Sequence, residues 1–256
     1  MVINSLNFVL FVAIVSLIYF IFPRKIKWVV LLLASYIFYF ICSKWLIIYM
    51  LITTLSIYIL ALIMGKIDIK TKARCKEETD RKVKKEIKNK AKRNKKILVA
   101  LAVLINFGIL ISLKYCNFIN QNLNAIFNVI KLPIEIPLKK IVLPLGISYY
   151  TLQVISYVVD VYRGKYLPDK HFGRVALFVS FFPQMVEGPI GRYDELANQL
   201  YESHKFSYEN VKFGIQLMLW GYFKKMVIAD RAAIYVNTVF ENYHAYAGLP
   251  TFMAAA

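Results

Sequence analysis

WLIIYMLITTLSIYILALIMG, residues 45–65, runs for 21 residues without a charge and is followed at once by KIDIKTKARCK. At 1.5 Å per residue such a helix spans the ~30 Å hydrocarbon core of a bilayer. Three more uncharged stretches stand in the chain: Val2–Pro23 over 22 residues, Ile97–Leu113 over 17 and Ile141–Val159 over 19. Only 19% of the 256 residues are charged, against about a quarter in soluble domains. Several near-spanning stretches in one chain predict an all-α, polytopic membrane helix bundle. With no internal repeat and no flexible linker, residues 1–256 read as a single integral membrane domain.

Charge placement sets the orientation. The first apolar stretch lacks the basic residues that precede the core of a signal peptide. Arg24, Lys25 and Lys27 follow it instead, so it reads as a retained helix with the N-terminus outside. Residues 66–96 hold 15 Lys/Arg against five Asp/Glu and supply +10 of the net +18. This basic loop lies after the third stretch, hence on the cytoplasmic side of the cell membrane, and the short turn around Lys44 lies outside. The loop contains no Phe, Tyr or Trp, which argues against a base-stacking nucleic-acid surface. Glu77–Arg81, Glu78–Lys82, Asp80–Lys84 and Glu86–Lys90 are acid-before-base pairs at i,i+4. They predict a solvated helix over 76–96 that touches anionic lipid headgroups. Cys42, Cys75 and Cys116 form neither a disulfide pattern nor a zinc signature.

Further helices are expected at about 4–22, 28–42, 45–64 and 97–115. Phe118, Leu123, Phe127 and Ile130, set among asparagines, predict an interfacial helix on the outer surface, ended by Pro133 and Pro137. In LPLGISYYTLQVISYVVDVYRG, residues 143–164, Tyr149, Gln153, Ser156, Asp160 and Arg163 recur at helical steps. Polar groups in a membrane helix face the bundle or a watery cavity. The stripe is either interhelical hydrogen bonding or a tunnel wall, with Asp160 and Arg163 forming a local pair.

FFPQMVEGPIGRY, residues 181–193, breaks the backbone with Pro183, Gly188, Pro189 and Gly191 directly after an apolar run of 12 uncharged residues, Val175–Val186. Irregular backbone at membrane depth is tolerated only where protein or a water-filled cavity satisfies it. A re-entrant segment lining a cavity is the expectation, with Glu187 and Arg192 neutralising one another and Gln184 lending its amide to a loose carbonyl. Trp220, Tyr222, Lys224 and Lys225 read as an interfacial anchor.

LPLGISYYTLQVISYVVDVYRGK (143–165), FFPQMVEGPIGRYDEL (181–196) and GYFKKMVIADR (221–231) resemble, in this order and spacing, membrane-bound O-acyltransferases, in the branch of the alginate O-acetylation membrane protein. The resemblance implies a helical bundle around a central tunnel. It also implies transfer of an acyl group, often acetyl, to a hydroxyl, commonly on an extracellular polysaccharide or cell-envelope glycan. The acyl donor would be an acyl thioester or acyl carrier, with no bound cofactor or metal. An acyl-donor protein, an extracytoplasmic partner transferase, a glycan acceptor and membrane lipid are the implied partners, and nucleic acid is not one.

The resemblance further implies a general-base histidine in a Trp-His-Gly setting, which this sequence does not contain. His171, His204 and His244 sit in other contexts and read as surface residues. No catalytic residue is therefore assigned, and the expectation is the N-terminal part of such an enzyme, inactive alone and stopping as another apolar run begins. A non-catalytic membrane scaffold and a transporter or flippase are the alternatives; a transporter would call for paired broken helices, and one break is evident. The orientation predicts that Cys75 stays unreactive toward a membrane-impermeant thiol reagent in intact cells and reacts once the membrane is permeabilised. Labelling in intact cells would reverse the orientation.

Overall fold

The computed structural model describes residues 5–130, 136–138, 142–188, 191–202, 204–242, 244–246 and 248–255, with side chains at all of these but 186 and 187. Among the described residues the fold is all-α, with no strand. The helices are α1 (Leu6–Ile21), α2 (Lys27–Ser43), α3 (Ile47–Glu77), α4 (Arg81–Lys114), α5 (Cys116–Val129) and α6 (Ile147–Arg163). They are followed by α7 (Phe172–Ser180), α8 (Phe182–Glu187), α9 (Tyr193–Tyr201), α10 (Tyr208–Phe223), α11 (Asp230–Glu241) and α12 (Leu249–Ala255). Among the described residues two helical segments are long and apolar enough to cross a membrane: Lys27–Glu77, which contains the turn at Lys44–Leu46, and Arg81–Lys114. Helix α1 is apolar but shorter.

The chain divides into two compact units. The first runs from Phe11 to Ser203. In it α3, α4 and α6 pack on one another, α7 lies against α2 and α3, and α8 rests on α2 and α6. Each helix turns a periodic face inward. Met50, Ile57 and Met64 of α3 are fully buried, at the seven-residue spacing of one helix face. Ala102, Asn106 and Leu110 of α4 recur every four residues, and Tyr150, Val154, Tyr157, Val158 and Val161 do the same for α6. Outward positions of α3 are apolar too, with Leu51, Ile52, Leu55, Ile59 and Ile63 exposed. A helix apolar all round needs an apolar surrounding on every side. Asn106 is one of the buried polar residues. Its amide donates to Ala102 O at 2.8 Å and to Ser56 Oγ at 3.3 Å, which ties α4 to α3.

In the second unit, whose larger segment is 204–256, α10 continues through a π-helical turn at Lys224–Ala229 into α11. Trp220 stacks on Phe223 at 5.3 Å, Lys224 lies over the Trp220 ring, and Lys225 pairs with Asp230 at 2.7 Å. Of the residues expected as an anchor, Trp220, Lys224 and Lys225 thus make local contacts around the π turn.

Three expectations change. The basic stretch 66–96 is not a loop carrying its own helix. Helices α3 and α4 continue straight through it and meet at a tight turn, Glu78–Asp80. Glu78 accepts from the amides of Thr79 and Asp80, and Asp80 caps α4 by accepting from Lys82 N at 2.8 Å, the usual role of an Asp before a helix. That turn separates Glu77 from Arg81 and Glu78 from Lys82, and none of the four i,i+4 pairs forms an ion pair. Asp160 and Arg163 form no pair either. Asp160 instead accepts from Tyr166 Oη at 3.4 Å, because Arg163 points toward α4 rather than back along its own helix.

Helix α5 has the expected position and buries no residue. Its Asn124 holds the following segment by donating to Ile136 O at 2.9 Å and accepting from Ile136 N at 2.8 Å. The asparagines therefore pin the chain beyond the helix. Pro133 lies outside the described residues.

Helix α6 starts at Gly146, whose φ of +68° is left-handed. A β-carbon there would meet the carbonyl oxygen and side chain of Met185 in α8, so only glycine lets the two elements approach. Gly164, at φ +74°, ends the same helix with open space around it. Left-handed backbone costs a residue with a β-carbon ~1–2 kcal/mol. Gly164→Ala should lower thermal stability by about that amount, and Gly146→Ala by clearly more, since it adds a clash with backbone. Equal melting temperatures for the two variants in detergent would contradict the close approach of α6 and α8.

Candidate functional site

The break that the sequence marks begins where α7 stops. Phe181 leaves the helical region, with φ −54° and ψ 107°. Pro183 has no N–H to donate and suits the first turn of a new helix. Helix α8 then restarts as Gln184 N and Met185 N both donate to Phe181 O at 3.1 Å, and Gly188 N closes it on Gln184 O at 2.9 Å. In an unbroken helix Phe182 N would donate to Phe178 O. The break separates those two groups inside the protein, where neither can turn to water.

Two side chains from neighbouring helices replace the lost bond. Gln153 of α6, 4% exposed, donates from Nε2 to Phe178 O at 2.9 Å. Ser35 of α2, fully buried, accepts from Phe182 N at 3.3 Å. Ser35 Oγ in turn donates to Leu31 O at 2.8 Å. A second serine, Ser43, accepts from Leu145 N at 3.1 Å where the chain enters α6. Gln153 is thus the polar group of the α6 stripe that bonds between helices. Tyr149 and Arg163 are exposed, and Ser156 and Asp160 are half-buried.

Beyond α8 the side chain of Gln184 lies against Gly188 and Gly191, where any β-carbon would collide with it. An open groove of about 410 Å³ results, lined among others by Phe181, Gln184, Gly188, Arg192, Glu195 and Gln199. Of the candidates read from sequence, Gln184 and Arg192 share this groove. Gln153 supports it from behind, and Asp160 lies apart from it, at the far end of α6. The side chain of Glu187 and residue Pro189 fall outside the described residues, so the expected Glu187–Arg192 pair does too. The groove offers a guanidinium, two amides and a carboxylate, a set able to bind and orient an oxygen-rich or anionic group. His171 is exposed and does not line it, His204 and His244 of the second unit are exposed, and the described residues contain no cluster able to hold a metal ion.

A support that sequence reading missed joins α6, α7 and α9 next to the groove-lining Arg192. Asp169 accepts from Tyr193 Oη and from His171 N, each at 2.8 Å, while its own amide donates to Tyr157 Oη at 3.2 Å. The rings of Tyr157, Tyr166 and Tyr193 lie 4.7–5.9 Å apart, and Phe178 meets Tyr193 edge-on at 4.9 Å. Burial first, then Tyr201 and after it the Asp169 carboxylate, push the Tyr193 phenol far above its usual range, so it remains a donor. Lys165 pairs with Asp194 at the start of α9, and its hydrogen bond holds that carboxyl below the usual range. The pair's contribution is present above the ordinary carboxylate pKa and is lost as pH falls through the depressed one. The one local signal was Asp169 just before α7, a position where Asp turns the chain into a helix.

No family model matches the chain, and no solved structure matches it. The curated proteins it is similar to are, by name, O-acetylases and O-acetyltransferases. The chain is 34% identical over 140 residues to the "Probable alginate O-acetylase AlgI" of Pseudomonas syringae pv. tomato, covering 55% of this chain and 27% of that protein. It is 29% identical over 225 residues to the protein of the same name from Pseudomonas aeruginosa, covering 87% of this chain and 38% of the relative. The peptidoglycan O-acetyltransferase of Helicobacter pylori is 29% identical over 174 residues, covering 58% of this chain and 32% of that protein. The likeness to alginate O-acetylation proteins expected from the three sequence blocks is thus found, and the aligned part spans 27–38% of the length of these three relatives.

Buried interhelical hydrogen bonds contribute about 0.5–2 kcal/mol each, and an orphaned carbonyl adds to the loss. Gln153→Leu and Ser35→Ala should each lower the melting temperature in detergent, whereas Ser156→Ala, on the same face as Gln153, should change stability by less than about 0.5 kcal/mol. A Gln153→Leu protein as stable as Ser156→Ala would remove the side-chain seal from the account.

Proposed function

We propose that these residues form part of a membrane-embedded O-acyltransferase that acetylates hydroxyls of a polysaccharide or cell-envelope glycan. The similarity to named alginate and peptidoglycan O-acetylating proteins carries the reading. The groove at the α7–α8 break supports it, since acyl transfer needs oxygen-binding groups held rigidly where charge develops.

In this reading the broken segment is re-entrant, the N-terminus lies outside, and the chain passes the cell membrane several times. Arg192 and Gln184 hold the carbonyl or anionic end of an acyl donor, an acyl thioester or acyl carrier. Glu187 neutralises Arg192 while the site is empty. Gln153, Ser35 and the Asp169 cluster fix that geometry. Proton removal from the acceptor hydroxyl is assigned to none of the three histidines, since none stands in a Trp-His-Gly setting, and a placed base contributes about 10²–10⁴ in rate.

Arg192→Ala or Gln184→Leu, introduced into the chromosomal gene, should lower the O-acetyl content of the envelope polysaccharide by about tenfold or more, as loss of one oxyanion-type contact does, with protein abundance unchanged. Arg192→Ala combined with Glu187→Gln should be no worse than Arg192→Ala alone, since the two act as a pair. Wild-type O-acetylation in both groove variants, at normal abundance, would remove the groove from the reaction.

A further inference from the structure

We propose that the charged stretches of α3 and α4, with the end of α6, form a binding site for a phosphate group, separate from the groove at the α7–α8 break. A cavity of about 500 Å³ opens there, lined among others by Asp68, Thr71, Lys88, Lys92, Lys95 and Arg163. Four of these side chains are cations and one is a carboxylate.

That carboxylate is already committed. Lys95 pairs with Asp68 at 2.8 Å, donates to Tyr162 O at 3.2 Å and sits over the Tyr162 ring. Its ammonium thereby ties α3, α4 and α6 together. The structure records no carboxylate within ion-pair distance of Lys88, Lys92 or Arg163. Three cations therefore converge on one cavity from two helices with no acid to balance them, beside the hydroxyl of Thr71. Such a set fits a phosphate, which takes a guanidinium fork, ammonium groups and a hydroxyl together. A carboxylate ligand would leave most of that charge unused.

The level of the cavity narrows the source. The uncharged run of α3 ends at Gly65, that of α4 begins at Ile97, and that of α6 ends at Val159. Asp68, Lys95 and Arg163 each lie within four residues of those points. If the apolar runs cross a bilayer, the cavity stands at the depth of the lipid phosphates, and it also opens to water. The phosphate can therefore belong to an anionic lipid headgroup or to a soluble phosphate compound. The site does not depend on the acyltransferase reading.

Binding separates the two sources. The purified chain would be measured by native mass spectrometry for retention of phosphatidylglycerol against phosphatidylcholine, and by calorimetry with inorganic pyrophosphate. The test variant is Lys92→Gln with Arg163→Gln. The control is Lys82→Gln with Lys85→Gln, which removes the same charge from α4 outside the cavity. The site predicts about tenfold weaker binding for the test variant and less than about twofold for the control, in at least one arm. A lipid-only effect assigns a headgroup, and a pyrophosphate-only effect assigns a soluble phosphate. Should the double variant fail to fold, Lys88→Glu, at an exposed position, repeats the comparison. Equal losses in test and control, or no loss in either arm, would reduce the cavity to general surface charge and overturn the proposal.

Discussion

A backbone amide and a backbone carbonyl that lose one another inside a protein must each find a new partner, and the break at Phe181 forces that condition on this fold. Phe182 N–H finds Ser35 on α2, and Phe178 C=O finds Gln153 on α6. The two partners lie more than a hundred residues apart in sequence, so the break can exist only when α2, α6 and α7 are already in register. Helix α8 repeats the constraint at its other end, where Met185 rests on a glycine at the start of α6. A single interrupted helix thereby fixes the relative placement of the elements that surround it.

The groove follows from this arrangement. Because α8 restarts only one residue after α7 ends, its last turn and the start of α9 face each other across Gly188 and Gly191. Gln184 fills the space that side chains at those positions would take, and Arg192 stands at the rim. Next to Arg192, Asp169 joins α6, α7 and α9 through one carboxylate, one amide and two tyrosine hydroxyls. A short polar rim and apolar surroundings suit a site that binds and orients, and that is the part acyl transfer asks of these residues in the function proposed above.

Much of the fold was legible because apolar length and the placement of cations are local properties of the chain. The apolar stretches at 45–65 and 97–113, and the break after Ser180, could be read from a dozen or two consecutive residues each. The continuity of α3 and α4 through the basic stretch was not, because a run of charges looks the same as a solvated loop or as a helix extending past an apolar run. The i,i+4 pairs misled for a related reason: spacing alone does not reveal a three-residue turn between the partners. Gln153 was legible as a polar group in an apolar helix, but its acceptor was not, since a carbonyl orphaned by a distant break leaves no trace near residue 153. Ser35 carried no signal at all, being one small polar residue in a helix that tolerates many. The Asp169 cluster depends on tyrosines at 157, 166 and 193, whose spacing shares no period.

The central claim is that the interrupted backbone at 178–188 is sealed by side chains of α2 and α6. Hydrogen exchange at the Phe182 amide, followed in the chain reconstituted in nanodiscs, tests it most directly. The account predicts protection comparable to that of the α7 amides, and rapid exchange at that amide once Ser35 is replaced by alanine. Fast exchange at Phe182 in the unaltered protein, or protection unchanged by Ser35→Ala, would contradict it.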